Sequence, residues 1–324
     1  MEECEISPQV ESQLVKMDFT CIIPAYNRER TIARAIESAL GQSIGRPQVV
    51  VVDDGSTDRT VEIVSSYQRD VTCITQENAG GAAARNAGAL AASTPWIAFL
   101  DSDDYWRPKH LARMYAAIQA TEGRAAFYFC DLQRTEAEAG VTQWARANFQ
   151  MKDDWLMIQD GTPWLLRARM PMMLQGSCFH RLRFLENGGL WNELRRRHDT
   201  HAFLVHGLGQ PICAVSGVGT VMTSDEQGER LTAELTPSTL GYHAYSIMLW
   251  SDILARFPDL GGAERSRLTY RLARSRISSM RLEASRGMLG KATAHLLRAL
   301  LASPPYVLRT MFGRPRGEVD LYGS

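Results

Sequence analysis

Residues 19–64 read FTCIIPAYNRERTIARAIESALGQSIGRPQVVVVDDGSTDRTVEIV. Two β-rich apolar runs, Phe19 to Pro24 and Val49 to Asp53, flank Thr31 to Leu40, whose apolar residues recur at helical spacing. That order is a βαβ unit, in which parallel strands are joined by a crossover helix. The alternation continues outward. Ser56 or Thr57 can cap a helix through about Ser66, followed by a strand at Val71 to Thr75. Ala82 to Ala92 is Ala-rich and helical, Trp96 to Asp101 is a fourth strand, Pro108 opens another helix in its first turn, and Ala125 to Asp131 is a fifth strand. The first 131 residues therefore predict an α/β class with a Rossmann-like, mainly parallel sheet flanked by helices.

Past Asp131 the alternation fails, and residues 132–235 mix Trp, Met, Gly and charge without a clear period. From Pro237 the chain turns helical. Ala263 to Arg286 and Gly290 to Leu301 are amphipathic, and Ser303-Pro304-Pro305 separates them from a last short segment. Four segments follow: a polar tail over 1–17, a nucleotide-binding half over 18–131, a less regular substrate half of the same domain over 132–235, and a helical basic extension over 236–324.

With 324 residues, 45% of them hydrophobic and 22% charged, the chain has the composition of a folded globular protein rather than a disordered or collagen-like one. Its six cysteines lack metal-ligand spacing and read as reduced thiols. No apolar run reaches membrane-spanning length, and the opening MEECEISPQVESQLVK is acidic where a signal peptide would be basic, so the expected location is cytoplasmic. Residues 264–324 carry twelve Lys/Arg against four acids, a surplus of +8 that offsets the deficit in the rest of the chain. A basic tail points to an anionic partner, membrane lipid or nucleic acid, or to a solvated helix face.

In a doubly wound sheet, ligands bind beyond the carboxyl ends of the strands. Those positions hold Pro24-Ala25-Tyr26-Asn27, Asp53-Asp54-Gly55-Ser56, Gln76-Glu77-Asn78-Ala79-Gly80-Gly81 and Asp101-Ser102-Asp103-Asp104. One acidic turn is ordinary. Two acidic clusters on one edge repel each other unless a cation or ligand compensates them.

The blocks CIIPAYNRERTIARAIESALGQS, VVVVDDGSTDRTVEIV, QENAGGAAARNAGALAAS and WIAFLDSDDYWRPKHL together resemble glycosyltransferase family 2, whose inverting enzymes have the GT-A fold. A fainter likeness runs through QGSCFHRLRFLENGGLWNELRRRHDTHAFL, and residues 236–324 carry no diagnostic block.

The resemblance implies a role for each position. Tyr26 would stack on a nucleobase, and one carboxylate of Asp53/Asp54 would accept its imide N–H; the plain alternative for Tyr26 is a surface turn aromatic. Pro24, Ala25, Asn27, Gly80, Gly81, Arg85 and Asn86 would line the nucleotide, with Arg85 meeting a diphosphate or ribose oxygen. Asp101-Ser102-Asp103 matches the DxD element, in which Asp103 would bind Mg²⁺ or Mn²⁺ and Asp101 ribose or metal. Asp104 reads as a helix N-cap.

Gly188-Gly189-Leu190 followed by His198-Asp199 makes Asp199 the candidate general base, with His198 where the family usually has Glu; Asp199 could equally be an N-cap. Gln175, Ser177, His198 and Trp164 fall in the segment that would face the acceptor. Asp225 stands where relatives often have a His.

The resemblance implies transfer of a sugar from a nucleotide-sugar, by family habit UDP-linked, to a glycan or lipid-linked acceptor in cell-surface polysaccharide synthesis, with a peripheral place on the inner membrane face as the expectation for its basic helices. A sugar-nucleotide pyrophosphorylase would show a glycine-rich N-terminal signature that is absent. A scaffold or glycan-binding pseudoenzyme with the same fold is the non-catalytic alternative, and nucleic acid is the least favoured partner for the tail.

Overall fold

The computed structural model describes residues 19–134, 141–223 and 238–312, with side chains through 310. In chain order the elements are β1 (Phe19–Ala25), α1 (Ile32–Leu40), β2 (Gln48–Asp53), α2 (Thr60–Ser65), β3 (Val71–Thr75), α3 (Gly81–Ala91), β4 (Trp96–Phe99), β5 (Tyr105–Trp106), α4 (His110–Ala120) and β6 (Phe127–Gln133). There follow α5 (Gln143–Ala147), β7 (Trp155–Ile158), α6 (Thr162–Leu165), β8 (Ser177–His180), α7 (Arg181–Glu186), α8 (His198–Gly207) and β9 (Ile212–Val221). Four helices complete the described chain: α9 (Leu240–Arg256), α10 (Gly262–Ser285), α11 (Leu289–Ala302) and α12 (Pro304–Phe312).

The strands form one sheet in the order β3-β2-β1-β4-β8-β6-β9-β5, with β7 also pairing β9. β3, β2, β1 and β4 are parallel, and the unbroken apolar run Val49–Val52 of the inner strand β2 is buried throughout, as expected of a strand covered on both faces. β8 then enters antiparallel to both β4 and β6. The region without a sequence period thus extends the same sheet, using strands as short as four residues.

The register of β6 against β9 shifts around Asp131. There the Asp131 carboxylate accepts from the backbone N–H groups of Leu132 and Trp144, satisfying donors that the interrupted ladder leaves over. On the other side of the sheet, α3 lies so close to β1 that a Cβ at Gly88 would come within 2.4 Å of Ile22.

Two boundaries differ from the sequence expectation. Neither Ser56 nor Thr57 caps α2: the Ser56 hydroxyl accepts from Asn27 N–H, and the Asp58 carboxylate takes the Thr60 N–H at the helix start. Pro108 precedes α4 rather than occupying its first turn. The cysteines Cys21, Cys73, Cys130, Cys178 and Cys213 are all free thiols, and Cys4 lies outside the described residues.

The extension is joined to the core. Leu268 and Leu272 of α10 pack in the main hydrophobic cluster with Leu249, Trp250 and Ile253 of α9. A smaller cluster of Ala273, Ile277, Ala299 and Val307 ties α10, α11 and α12 together. Among the described residues no helix is long and apolar enough to cross a membrane.

Candidate active site

The carboxyl ends of β1, β2, β3 and β4 lie side by side, and their loops are cross-linked by side chains. Asn27, with φ +52°, takes the Thr57 N–H on its Oδ1 at 2.8 Å while its own N–H donates to Ser56 Oγ at 2.9 Å. The carbonyl of Ala25 accepts from Asp54 N–H at 2.8 Å. Asn27 and Ala25 therefore hold the turn that presents half-buried Tyr26.

Asp53 and Asp54, adjacent and both buried, are used differently. Asp54 accepts from Gln76 Nε2 at 2.7 Å and from the backbone N–H groups of Ala79 and Gly80, each at 2.8 Å. Its carboxylate shapes the glycine turn after β3, and both its oxygens are occupied. Asp53 takes the Ser56 N–H on Oδ2 at 3.0 Å, and its Oδ1 has no protein partner. Of the pair, only Asp53 retains a vacant acceptor, which is costly to bury unless something supplies a donor.

The loop after β4 gathers Asp101, Asp103 and Asp104, whose carboxylate oxygens lie within 4.8 Å of one another. Asp104 is 2% exposed. Burial, together with the charges of Asp101 and Asp103, pushes its pKa up to about 8, although Thr223 N–H and Gln175 Nε2 both donate to it. Three oxygen donors this close, one of them resisting ionisation, fit a hard divalent cation such as Mg²⁺ or Mn²⁺. Asp104 is thus part of the cluster, and the N-cap expectation is corrected: α4 starts at His110 without a side-chain cap. Ser102 is buried between the acids.

Arg85, buried on α3, joins this loop to the far half of the molecule. Its Nη2 ion-pairs with Asp101 Oδ1. Its Nη1 donates to the Gly81 carbonyl at 3.0 Å and faces His198 Nε2 at 3.4 Å. His198 opens α8, with Asp199 beside it in the first turn. Burial and the neighbouring Arg85 guanidinium lower the His198 pKa, so the ring is neutral where Glu would have been an anion. Asp199 Oδ1 accepts from Thr200 N–H at 2.7 Å, and Arg197, the residue before the helix with φ +66°, forms no side-chain cap.

Other expected residues are engaged elsewhere. The Asn86 amide is taken up by protein partners: its Oδ1 accepts from Leu190 N–H and its Nδ2 donates to Leu190 O and Asn192 Oδ1. Gly189, with φ +62°, passes so close that a Cβ would sit 2.5 Å from Asn86 Oδ1. Asn86 therefore positions the Gly-Gly loop leading to α8. Ser177 is fully buried with its hydroxyl donating to Met173 O, which removes it from an acceptor surface. Gln175, also buried, holds Asp104 and accepts from Trp106 and Thr220 on its carbonyl. Trp164 packs edge-on to Phe149, and the Arg167 guanidinium lies 3.6 Å over its ring. Asp225 lies outside the described residues.

A parallel sheet whose acidic and glycine-rich strand ends converge, followed by an antiparallel return, defines the GT-A class of fold. Residues 20–172 match the model of Glycosyl transferase family 2. The succinoglycan biosynthesis protein ExoO of Rhizobium meliloti is 45% identical over 111 residues, covering 34% of this chain and 32% of the relative. WfaP of Escherichia coli, a UDP-Glc:alpha-D-GlcNAc-diphosphoundecaprenol beta-1,3-glucosyltransferase, is 44% identical over 87 residues, covering 26% of this chain and 35% of its own. This chain spans about a third of the length of these curated relatives. The structure of S. aureus TarS in complex with UDP-GlcNAc is similar in fold, with a TM-score of 0.66 at 21% identity over 90% of this chain and 83% of that one.

Proposed function

We propose that this chain is an inverting glycosyltransferase that moves a sugar from a nucleotide-sugar, with UDP the favoured nucleotide, to a hydroxyl of a glycan or lipid-linked acceptor in cell-surface polysaccharide synthesis. The observation that carries this reading is the bridge through Arg85. Its guanidinium meets both the DxD carboxylate Asp101 and His198 at the opening of α8, which supports reading these residues, with the candidate base Asp199, as one site.

In this reading Tyr26 stacks on the base, and Asp53 Oδ1 accepts its imide N–H. Asp54 keeps the glycine turn at Gly80 and Gly81 in shape for the diphosphate. Asp103, with Asp101 and Asp104, would hold Mg²⁺ or Mn²⁺, which when bound stabilises negative charge on the departing diphosphate. Arg85 orients Asp101 and contributes a second positive charge beside the same oxygens. The acceptor hydroxyl attacks the anomeric carbon as the bond from that carbon to the diphosphate oxygen breaks. The bonding pair leaves with the diphosphate, and Asp199 takes the hydroxyl proton. Neutral His198 beside Asp199 neither adds the repulsion a Glu would nor supplies a full positive charge.

A peripheral position at the inner membrane face is supported by Leu297, Leu301 and Leu308, which stand exposed on α11 and α12 with Lys291, Arg298 and Arg309 on the same helices. Leu296, Leu300 and Val307 instead pack inward. Turnover of a nucleotide-sugar panel with Mn²⁺ present tests the catalytic reading; product of inverted anomeric configuration supports it, and no turnover with any donor or acceptor refutes it.

A further inference from the structure

A cavity of about 720 Å³ lies between α9, α10 and the segment around residue 168, away from the strand ends. Six arginines line it: Arg167, Arg197, Arg267, Arg271, Arg274 and Arg281. No Asp or Glu does, and among the described residues none of the six is in an ion pair.

Positive charge gathered without a counter-charge is unfavourable. Burial and the charges of Arg197, Arg267 and Arg274 bring the Arg271 pKa down to about 10. Two of the six are nevertheless held in place. Arg271 donates to the Leu166 carbonyl at 2.6 Å and lies 5.0 Å over the Trp250 ring. Arg197 donates to the Tyr242 hydroxyl at 3.1 Å and lies against the Tyr242 and Trp250 rings. Stacking on aromatic faces orients a guanidinium and leaves its edge for a ligand.

The chemistry of the lining selects the ligand. Planar guanidinium forks match the oxygens of a phosphate, and several of them together match a diphosphate. The volume is far larger than a single small ion needs, so the group bound there arrives attached to something else. The position says to what. Arg197 and Thr200, on either side of His198-Asp199, both line the cavity, while His198 faces Arg85 of the nucleotide side. The first turn of α8 therefore separates two sites, one with the carboxylates and Arg85, the other with the arginines.

We propose that this cavity binds a phosphate or diphosphate group carried by the acceptor, and so orients the acceptor toward Asp199; the assignment to the acceptor rests on the glycosyl-transfer reading above. The group could belong to a phosphate-bearing soluble glycan or to the headgroup of a lipid-linked one.

The test is calorimetric titration of the full chain with inorganic pyrophosphate in metal-free buffer. Wild type is expected to bind about one equivalent. Arg274→Gln combined with Arg281→Gln, both at exposed positions of α10 that carry no described packing role, is expected to weaken binding at least tenfold, with the Arg→Lys pair recovering part of it. Arg85→Gln is expected to leave pyrophosphate affinity as it was. Equal binding by wild type and the Gln pair, or loss with Arg85→Gln alone, overturns the proposal, because the anion would then sit elsewhere. Tighter binding of a short RNA than of pyrophosphate overturns it in favour of nucleic acid.

Sedimentation with phosphatidylcholine vesicles carrying a polyprenyl diphosphate, compared with plain phosphatidylcholine, identifies the source. Retention that the Gln pair abolishes supports the lipid-borne group, and pyrophosphate binding without retention supports the soluble one. Nucleotide-sugar hydrolysis by the same preparation separates the two readings. Hydrolysis without pyrophosphate binding overturns the cavity alone, whereas pyrophosphate binding without hydrolysis overturns the transfer reading and with it the assignment to an acceptor, leaving the anion site standing.

Discussion

Arg85 Nη1 stands 3.4 Å from His198 Nε2 while Nη2 of the same guanidinium pairs with Asp101, so Asp101 and His198, distant in sequence, are held across one buried side chain. A neutral imidazole accepting from a guanidinium is consistent with a lowered His198 pKa. Restoring a carboxylate there, His198→Glu, adds a competitor to Asp101 for Arg85. The expected outcome is weaker nucleotide binding, by roughly three- to tenfold, measured by calorimetry with UDP and Mn²⁺. Unchanged affinity would show that Arg85 does not couple the two halves.

Asp103→Ala is expected to abolish the metal dependence of nucleotide-sugar binding, because it removes one of three clustered carboxylates. Titration with and without Mn²⁺ checks this, and a metal effect equal to that of wild type counts against the assignment.

Asp53 and Asp54 should separate cleanly. Asp54→Ala leaves three donors around residues 76–80 without their acceptor and is expected to cost about 2–4 kcal/mol of stability. Asp53→Asn keeps most of the stability and lowers uridine nucleotide affinity, since its free Oδ1 is the acceptor at issue. Urea unfolding and calorimetry on both variants decide it; a stable Asp54→Ala, or Asp53→Asn with full affinity, would refute the division.

Two buried histidines make stability depend on pH. Burial holds His110 at about 3 and His206 at about 4, below the ordinary value near 6.5. The unfolded chain therefore binds the proton first, so the stabilisation is complete above about pH 6.5 and is lost as pH falls toward the folded values. Between pH 7 and 5 each contributes a loss of up to about 2 kcal/mol. Asp104, held at about 8, works in the opposite direction over the same range, so the check is a comparison: His206→Gln should lose up to about 2 kcal/mol less than wild type between the two pH values, read from urea midpoints. An undiminished difference in that variant would contradict the assignment.

A chain ending at Gly262 would keep every described strand but lose Leu268, wholly buried, and Leu272, nearly so, from the main core. Losing both is expected to cost about 4–8 kcal/mol and lower Tm by more than 10 °C. A truncated chain melting with the full one would make α10 an independent unit.

The strand ends were legible because parallel strands buried on both faces read as unbroken apolar runs, and because ligand-facing loops follow them directly. Asp104 was not, since proximity to Pro108 makes a cap equally reasonable until Gln175 and Thr223 are seen to bury it. Asn86 and Gly189, 103 residues apart, meet only after folding. The division of labour between Asp53 and Asp54 depends on side-chain direction, which two adjacent identical residues do not disclose. The arginine cavity left a trace: Arg267, Arg271, Arg274 and Arg281 recur at spacings of three, four and seven, one face of a helix. What the spacing could not supply was the facing wall of Arg197, Tyr242 and Trp250.

The most direct test of the account is the rate of sugar transfer by Asp199→Asn, read together with UDP affinity on the same sample. Loss on the order of a hundredfold or more in kcat is expected, with nucleotide affinity unchanged, as for removal of a general base from an intact donor site. Transfer within a few-fold of wild type would contradict the central claim that Asp199 takes the acceptor proton.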